Sequence, residues 1–165
     1  VFFAAFTCGL LAGKREQRRI DEAEAFLALF EYIKNQVGYF LTPTKLIYRG
    51  FENKVLSDVG FLDRLCSHEN DEIYFDAWGD AFRACEGELH LSAEEKRTVL
   101  RFGECIGKSD EHMQLKSFDY YIGLLSSELE KARSETAKNK KVYRTVGFAI
   151  GAMAISLRKT NPNSA

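Results

Sequence analysis

Apolar residues recur along most of this chain in alternating steps of three and four, the spacing that gathers them on one side of a helix. Over residues 20–41, Ala23, Phe26, Phe30, Ile33, Val37 and Phe40 keep that rhythm and predict a long amphipathic helix. The stripe reads as a core-facing surface rather than an aromatic binding box. Thr42-Pro43 ends it, because the residue before a proline is pushed out of the helical region. A short helical piece is expected over 45–51, then a weaker helix over 54–67 with Val55, Val59, Leu62 and Cys66 inward. A polar connector, 67–71, offers Asn70 or Asp71 as cap for a helix over 72–86, whose stripe is Phe75, Trp78, Phe82 and Cys85. On its other side Glu72, Asp76 and Asp80 stand four residues apart, where like charges repel by roughly 0.2–0.5 kcal/mol a pair. Such a line is either solvated surface or a docking face for a basic partner. Gly87 closes the helix.

The most specific local pattern lies between Thr98 and Leu115. Ser92-Ala93-Glu94-Glu95 is a capping box that opens the helix leading into it. Phe102, Gly103 and Ile106 share one face, and Gly107 stands where a chain leaving a helix turns left-handed, a conformation costly for any residue with a Cβ. Ser109 or Asp110 can then accept the free N–H groups of the next helix. Gly103 and Gly107 fit a close helix crossing and a cap better than a ligand contact. Beyond the corner, Leu115, Phe118, Ile122, Leu125, Leu129 and Ala132 resume the three-four step, backed by Glu128, Lys131, Glu135 and Lys138. A helix from Asp110 to about Lys141 would be roughly 45–50 Å long, which implies a stalk.

Both ends of the chain are apolar. Residues 1–13 are apolar but for Thr7, and residues 146–157 but for Ser156. A spanning helix needs roughly 20 such residues, so the first run is expected to be the inner part of a transmembrane segment. A signal peptide would place its charges before the run, whereas Lys14, Arg15, Arg18 and Arg19 follow it. Lys138, Lys140, Lys141 and Arg144 precede the last run, and basic flanks on the side of the polar domain place that domain in the cytosol. Gly9 and Gly13, with Ala5, and Gly147 and Gly151 repeat small residues every fourth position, a face that lets membrane helices pack closely. The expected organisation is a partial N-terminal transmembrane segment (1–13), a cytosolic helical domain (14–141), a hydrophobic membrane segment (142–158) and a polar tail (159–165). The fold class is all-α, a bundle of about five or six helices with two long antiparallel ones.

Composition narrows the function. With 165 residues, 45% of them hydrophobic, and two prolines, the chain is long enough to bury a core without disulfides. A net charge of −1 opposes general nucleic-acid binding. The four cysteines, Cys8, Cys66, Cys85 and Cys105, have no Cys-x-x-Cys spacing, and three of them fall inside helical patterns, where a free Cys acts as a small hydrophobe. His68, His90 and His112 lack partners at metal-ligand spacing, and no nucleophile motif or Gly-rich phosphate loop is present. No catalytic, cofactor or metal residue is expected, and no small-molecule substrate.

Phe102-Gly103-Glu104, Gly107-Lys108, Asp110 and Gln114, with Trp78 upstream and the 141–155 stretch downstream, resemble the stage III sporulation protein AB family. The resemblance implies a membrane-anchored helical protein of endospore-forming bacteria, in the channel complex joining mother cell and forespore. Its soluble domain would be similar to the cytoplasmic domain of type II secretion and type IV pilus platform proteins. It would sit on the mother-cell membrane surrounding the forespore and meet a secretion-type ATPase and other channel subunits. Expected docking residues are Glu72, Asp76, Asp80, Glu104, Lys108, Asp110 and Gln114, with Trp78, Phe102, Gly103 and Gly107 structural. The alternative is a platform-like protein that itself moves pilin-like subunits.

Overall fold

The computed structural model describes residues 2–40, 47–67, 74–107 and 110–159, and within them the side chains of 13–38, 47–48, 50–67, 77–107 and 110–139. Glu72, Lys108 and the connector 68–73 lie outside the described residues, as do the side chains of Phe40, Phe75 and Asp76 and the surroundings of Gly9, Gly147 and Gly151. Regular structure among the described residues is entirely helical. It comprises α1 (Phe2–Phe40), a 3-10 turn (Tyr48–Gly50), α2 (Lys54–Asp58), α3 (Phe61–Ser67), α4 (Tyr74–Cys85), α5 (Ala93–Glu104) and α6 (Glu111–Lys159).

The chain divides into two units, residues 1–130 and 131–165. In the second, residues 131–159 are helical and Ala132 is buried. The boundaries expected at 13 and 141 mark no break in helix, because α1 and α6 run through them. The apolar ends do not register as spans: among the described residues no helix is long and apolar enough to cross a membrane.

The first unit is built around aromatic rings that the three-four pattern delivers from five helices. Phe26, Phe30, Phe61, Trp78, Phe82, Phe102 and Phe118 are all buried. Trp78 is the hub, its ring centroid 5.2 Å from Phe61, 5.8 Å from Phe102 and 6.3 Å from both Phe30 and Tyr48. Phe30 stacks flat on Phe102 at 3.7 Å, and Phe102 on Phe118 at 4.8 Å. These contacts join α1, α3, α4, α5 and α6 through one set of side chains, each burying a large apolar area. In α1 the expected stripe holds at Ala23, Phe26, Phe30 and Ile33, while Val37 is half-buried. Position 38 of α1 packs on Leu115 of α6, and Lys34 Nζ pairs with Asp119 Oδ1 at 2.5 Å, so the two long helices run antiparallel here.

One expected helix is broken. Residues 54–67 form α2 and α3, separated at Gly60, whose φ of +73° lies in the left-handed region where a Cβ is costly. Asn53 opens α2 by accepting the Leu56 N–H at 3.2 Å, and the Gly60 N–H closes it on the Ser57 carbonyl at 2.8 Å. The break resets the helical phase. Leu56, Phe61, Leu62 and Leu65 are the buried residues, whereas Val55 and Val59 are half-buried and Cys66 is exposed. The inward set Val55, Val59, Leu62 and Cys66 therefore holds only at Leu62.

Candidate functional site

The corner between α5 and α6 is assembled from capping and packing. Ser92 Oγ accepts the Glu95 N–H at 3.2 Å while Glu95 Oε2 accepts the Ser92 N–H at 2.6 Å, the reciprocal pair that starts α5. Gly103 lies beneath Trp78. A Cβ at position 103 would come within 2.5 Å of the indole nitrogen and closer still to Cδ1 and Cγ. Trp78 Nε1 in turn donates to the Val99 carbonyl at 3.1 Å, so the indole is both packed and satisfied. Gly107 has φ +76°, the left-handed exit that its position predicts. Asp110 Oδ1 accepts the Met113 N–H at 3.1 Å and opens α6; of the two candidates, Ser109 and Asp110, the structure shows the cap on Asp110.

The expected docking residues fall into different environments. Asp80 is exposed on α4 and pairs with Arg83 one turn on. Glu104 is half-buried at the end of α5, and Asp110 is exposed but engaged as a cap. Gln114 is only 7% exposed, so its side chain belongs to the interior of the corner rather than to its surface. Gly13 is exposed and a Cβ there would meet nothing within 4 Å, so no close neighbour occupies that side of α1.

Two buried carboxylates, Glu22 and the capping-box Glu95, hold the α4–α5 connection against α1. Glu22 is 4% exposed; its Oε2 accepts the His90 N–H at 2.6 Å and its Oε1 lies 2.9 Å from His90 Nδ1. Glu95, beyond its capping role, accepts from Arg19 Nε at 2.9 Å. Glu22 had a visible signal, since it precedes Phe26 by four residues and thus stands on the apolar face of α1, where a charge needs a partner. His90, sixty-eight residues away, gave none. Beside this pair lies a cleft of about 490 Å³ walled by Arg18, Asp21, Glu22, Asp58, Glu88 and His90. Among the described residues no serine, cysteine or lysine lines it. Among the described residues no group of three or more His, Cys, Asp or Glu could hold a metal ion. Burial pushes the Cys85 thiol up to about 11, against the partial relief of the Arg64 charge.

Helices packed on a shared set of aromatic rings, with polar clamps between them, define a helical bundle among the described residues. Comparison with known proteins then places the chain. The sequence profile of the stage III sporulation protein AB family matches residues 1–157, and the chain belongs to that family. Stage III sporulation protein AB of Bacillus subtilis (strain 168) is 28% identical over 81 residues, which is 49% of this chain and 47% of that protein. The match thus spans about half the length of that curated relative. A solved structure of stage III sporulation protein AB shares the fold, with a TM-score of 0.59 at 20% identity, over 73% of this chain and 97% of the solved one. The family is one of sporulation proteins.

Proposed function

We propose that this protein is a non-enzymatic, membrane-anchored scaffold subunit of the channel complex between mother cell and forespore, and that it docks a secretion-type ATPase on the cytosolic side. The observation that carries the reading is the continuity of the two longest helices with the chain's apolar ends. α1 is unbroken from Phe2 to Phe40 and α6 from Glu111 to Lys159, so each apolar run is an extension of a bundle helix. Membership of the sporulation family supports the setting. The basic residues after the first run and before the second support a cytosolic bundle.

We assign the docking face to the acids Glu72, Asp76 and Asp80, four residues apart in the sequence, together with Glu104 and Lys108 from the stretch between Thr98 and Leu115. Asp110 and Gln114 contribute by shaping that corner, since one is spent on a helix cap and the other is buried. The test is affinity capture of the tagged full-length protein from sporulating cells, with Asp76→Lys and Asp80→Lys introduced together. Retention of the ATPase should fall severalfold while the bundle keeps its helical signal. Undiminished capture removes the α4 face from the reading, and the absence of any ATPase from the wild-type capture removes the docking role.

A further inference from the structure

We propose that Lys14, Arg15 and Arg18 form a collar that binds the headgroups of anionic phospholipids. The inference rests on the membrane anchoring argued above and adds to it the chemical class of lipid. All three side chains are exposed, and they occupy one helical turn directly after the apolar run 1–13. Because α1 passes through this junction without a break, their spacing along its axis is fixed. Four residues at 1.5 Å each set Lys14 and Arg18 about 6 Å apart. A bilayer roughly 40–45 Å thick overall with a core of about 30 Å leaves some 5–8 Å of headgroup on each face, so all three cations fit within that layer. At about 100° per residue they fan over roughly a quarter to a third of the helix circumference, which brings them to several headgroups rather than one.

Arg19 is not part of the collar. It bonds Glu16 Oε1 at 3.1 Å and Glu95 Oε2 at 2.9 Å, which turns its charge toward the bundle. The contrast separates a structural arginine from three exposed cations next to it. The counter-charges nearby on the same helix, Glu16 and Asp21, are engaged by Arg19 and Gln17 respectively, and Arg18, though exposed, also borders the cleft walled by Asp58 and Glu88. A nucleic acid is a poorer match, because three cations at the end of an apolar run, in a chain of net charge −1, give no extended basic track. A phosphate-bearing lipid surface satisfies both neighbours at once: acyl chains meet the apolar run and phosphates meet the collar.

The test reconstitutes the full chain into bilayers and measures, by electron spin resonance of spin-labelled lipids, the motionally restricted fraction of phosphatidylglycerol and of phosphatidylcholine. The wild type should select phosphatidylglycerol severalfold at low salt, with the preference shrinking as salt is raised. Lys14→Gln, Arg15→Gln and Arg18→Gln together should reduce the ratio to about one while circular dichroism stays unchanged. Excess glycerophosphoglycerol, the headgroup without acyl chains, should not displace the lipid. If lipid is restricted but unselectively, or if the triple variant keeps its selectivity, the collar is overturned and the anchoring stands. Displacement by the free headgroup overturns the lipid-surface assignment in favour of a soluble phosphate site. If no lipid is restricted at all, both readings fall.

Discussion

Gly103→Ala tests the physical account of the corner most directly. A methyl group at this position would overlap the Trp78 indole, approaching within 2.5 Å of Nε1 and closer to Cδ1 and Cγ. Neither neighbour can yield cheaply. The indole is fully buried against Phe30, Phe61 and Phe102, and its N–H is held by the Val99 carbonyl at 3.1 Å. Overpacking of this kind costs about 1–3 kcal/mol, and displacing a buried N–H from its acceptor about 1–3 kcal/mol more. Alanine's better helix propensity offsets about 1 kcal/mol of that. The expected net loss is therefore about 1–5 kcal/mol, read as a lower urea midpoint. Trp78 is the sole tryptophan, so its emission reports this site alone. In the background of Trp78→Phe, where the smaller ring leaves room, Gly103→Ala should cost much less, and the double-mutant cycle should show a coupling above about 1 kcal/mol. A Gly103→Ala variant as stable as the wild type, with unchanged emission, would refute the close packing of glycine on indole.

Other consequences follow from single groups. Gly107→Ala should destabilise by about 1–2 kcal/mol, because position 107 has φ +76°, and Gly107→Asn should cost less; equal losses for both in chemical denaturation would mean that the turn relaxes. Cys85 gives a pH dependence. Its thiol titrates at about 11 in the fold against 9.0 when free, so below pH 9 both states are protonated and nothing is lost. Between pH 9 and about 11 the unfolded thiol ionises while the folded one does not, and stability falls as pH rises. The wild type should lose stability relative to Cys85→Ala across that window; parallel profiles would show that the thiol is not desolvated. Exposed Cys66 should react with maleimide in the native protein well before buried Cys85 does.

The legible parts of the fold were those decided within a few residues. The stripes of α1 and α6, the Ser92–Glu95 capping box and the left-handed Gly107 each follow from local spacing or backbone sterics. Gly60 was passed over because a glycine in a weak helical stretch costs only about 1 kcal/mol and need not end it. Once it did, the helical phase after it shifted, and Phe61 and Leu65 went inward in place of Cys66. The long-range clamps were beyond local spacing for a different reason. Glu22 with His90 and Arg19 with Glu95 are separated by 68 and 76 residues, and only the packing of the connection against α1 brings each pair together.

Five of the residues that carry the resemblance at the corner are ones whose atoms the fold itself uses. Phe102 is stacked between Phe30 and Phe118, Gly103 is bare to admit Trp78, Gly107 turns the chain, Asp110 caps α6 and Gln114 is buried. Each has a structural cause that would apply whether or not anything docks there. A signature of this kind identifies the bundle, and it carries little information about the partner. Contact specificity must then come from side chains that the fold itself does not use, such as exposed Asp80 on α4. Asp80 already has a partner in Arg83, but an exposed pair one helical turn apart contributes well under 1 kcal/mol, so a basic ligand can displace Arg83 at small cost. Charge reversal on α4 should therefore separate binding from folding, whereas substitution of the signature residues should disturb both together.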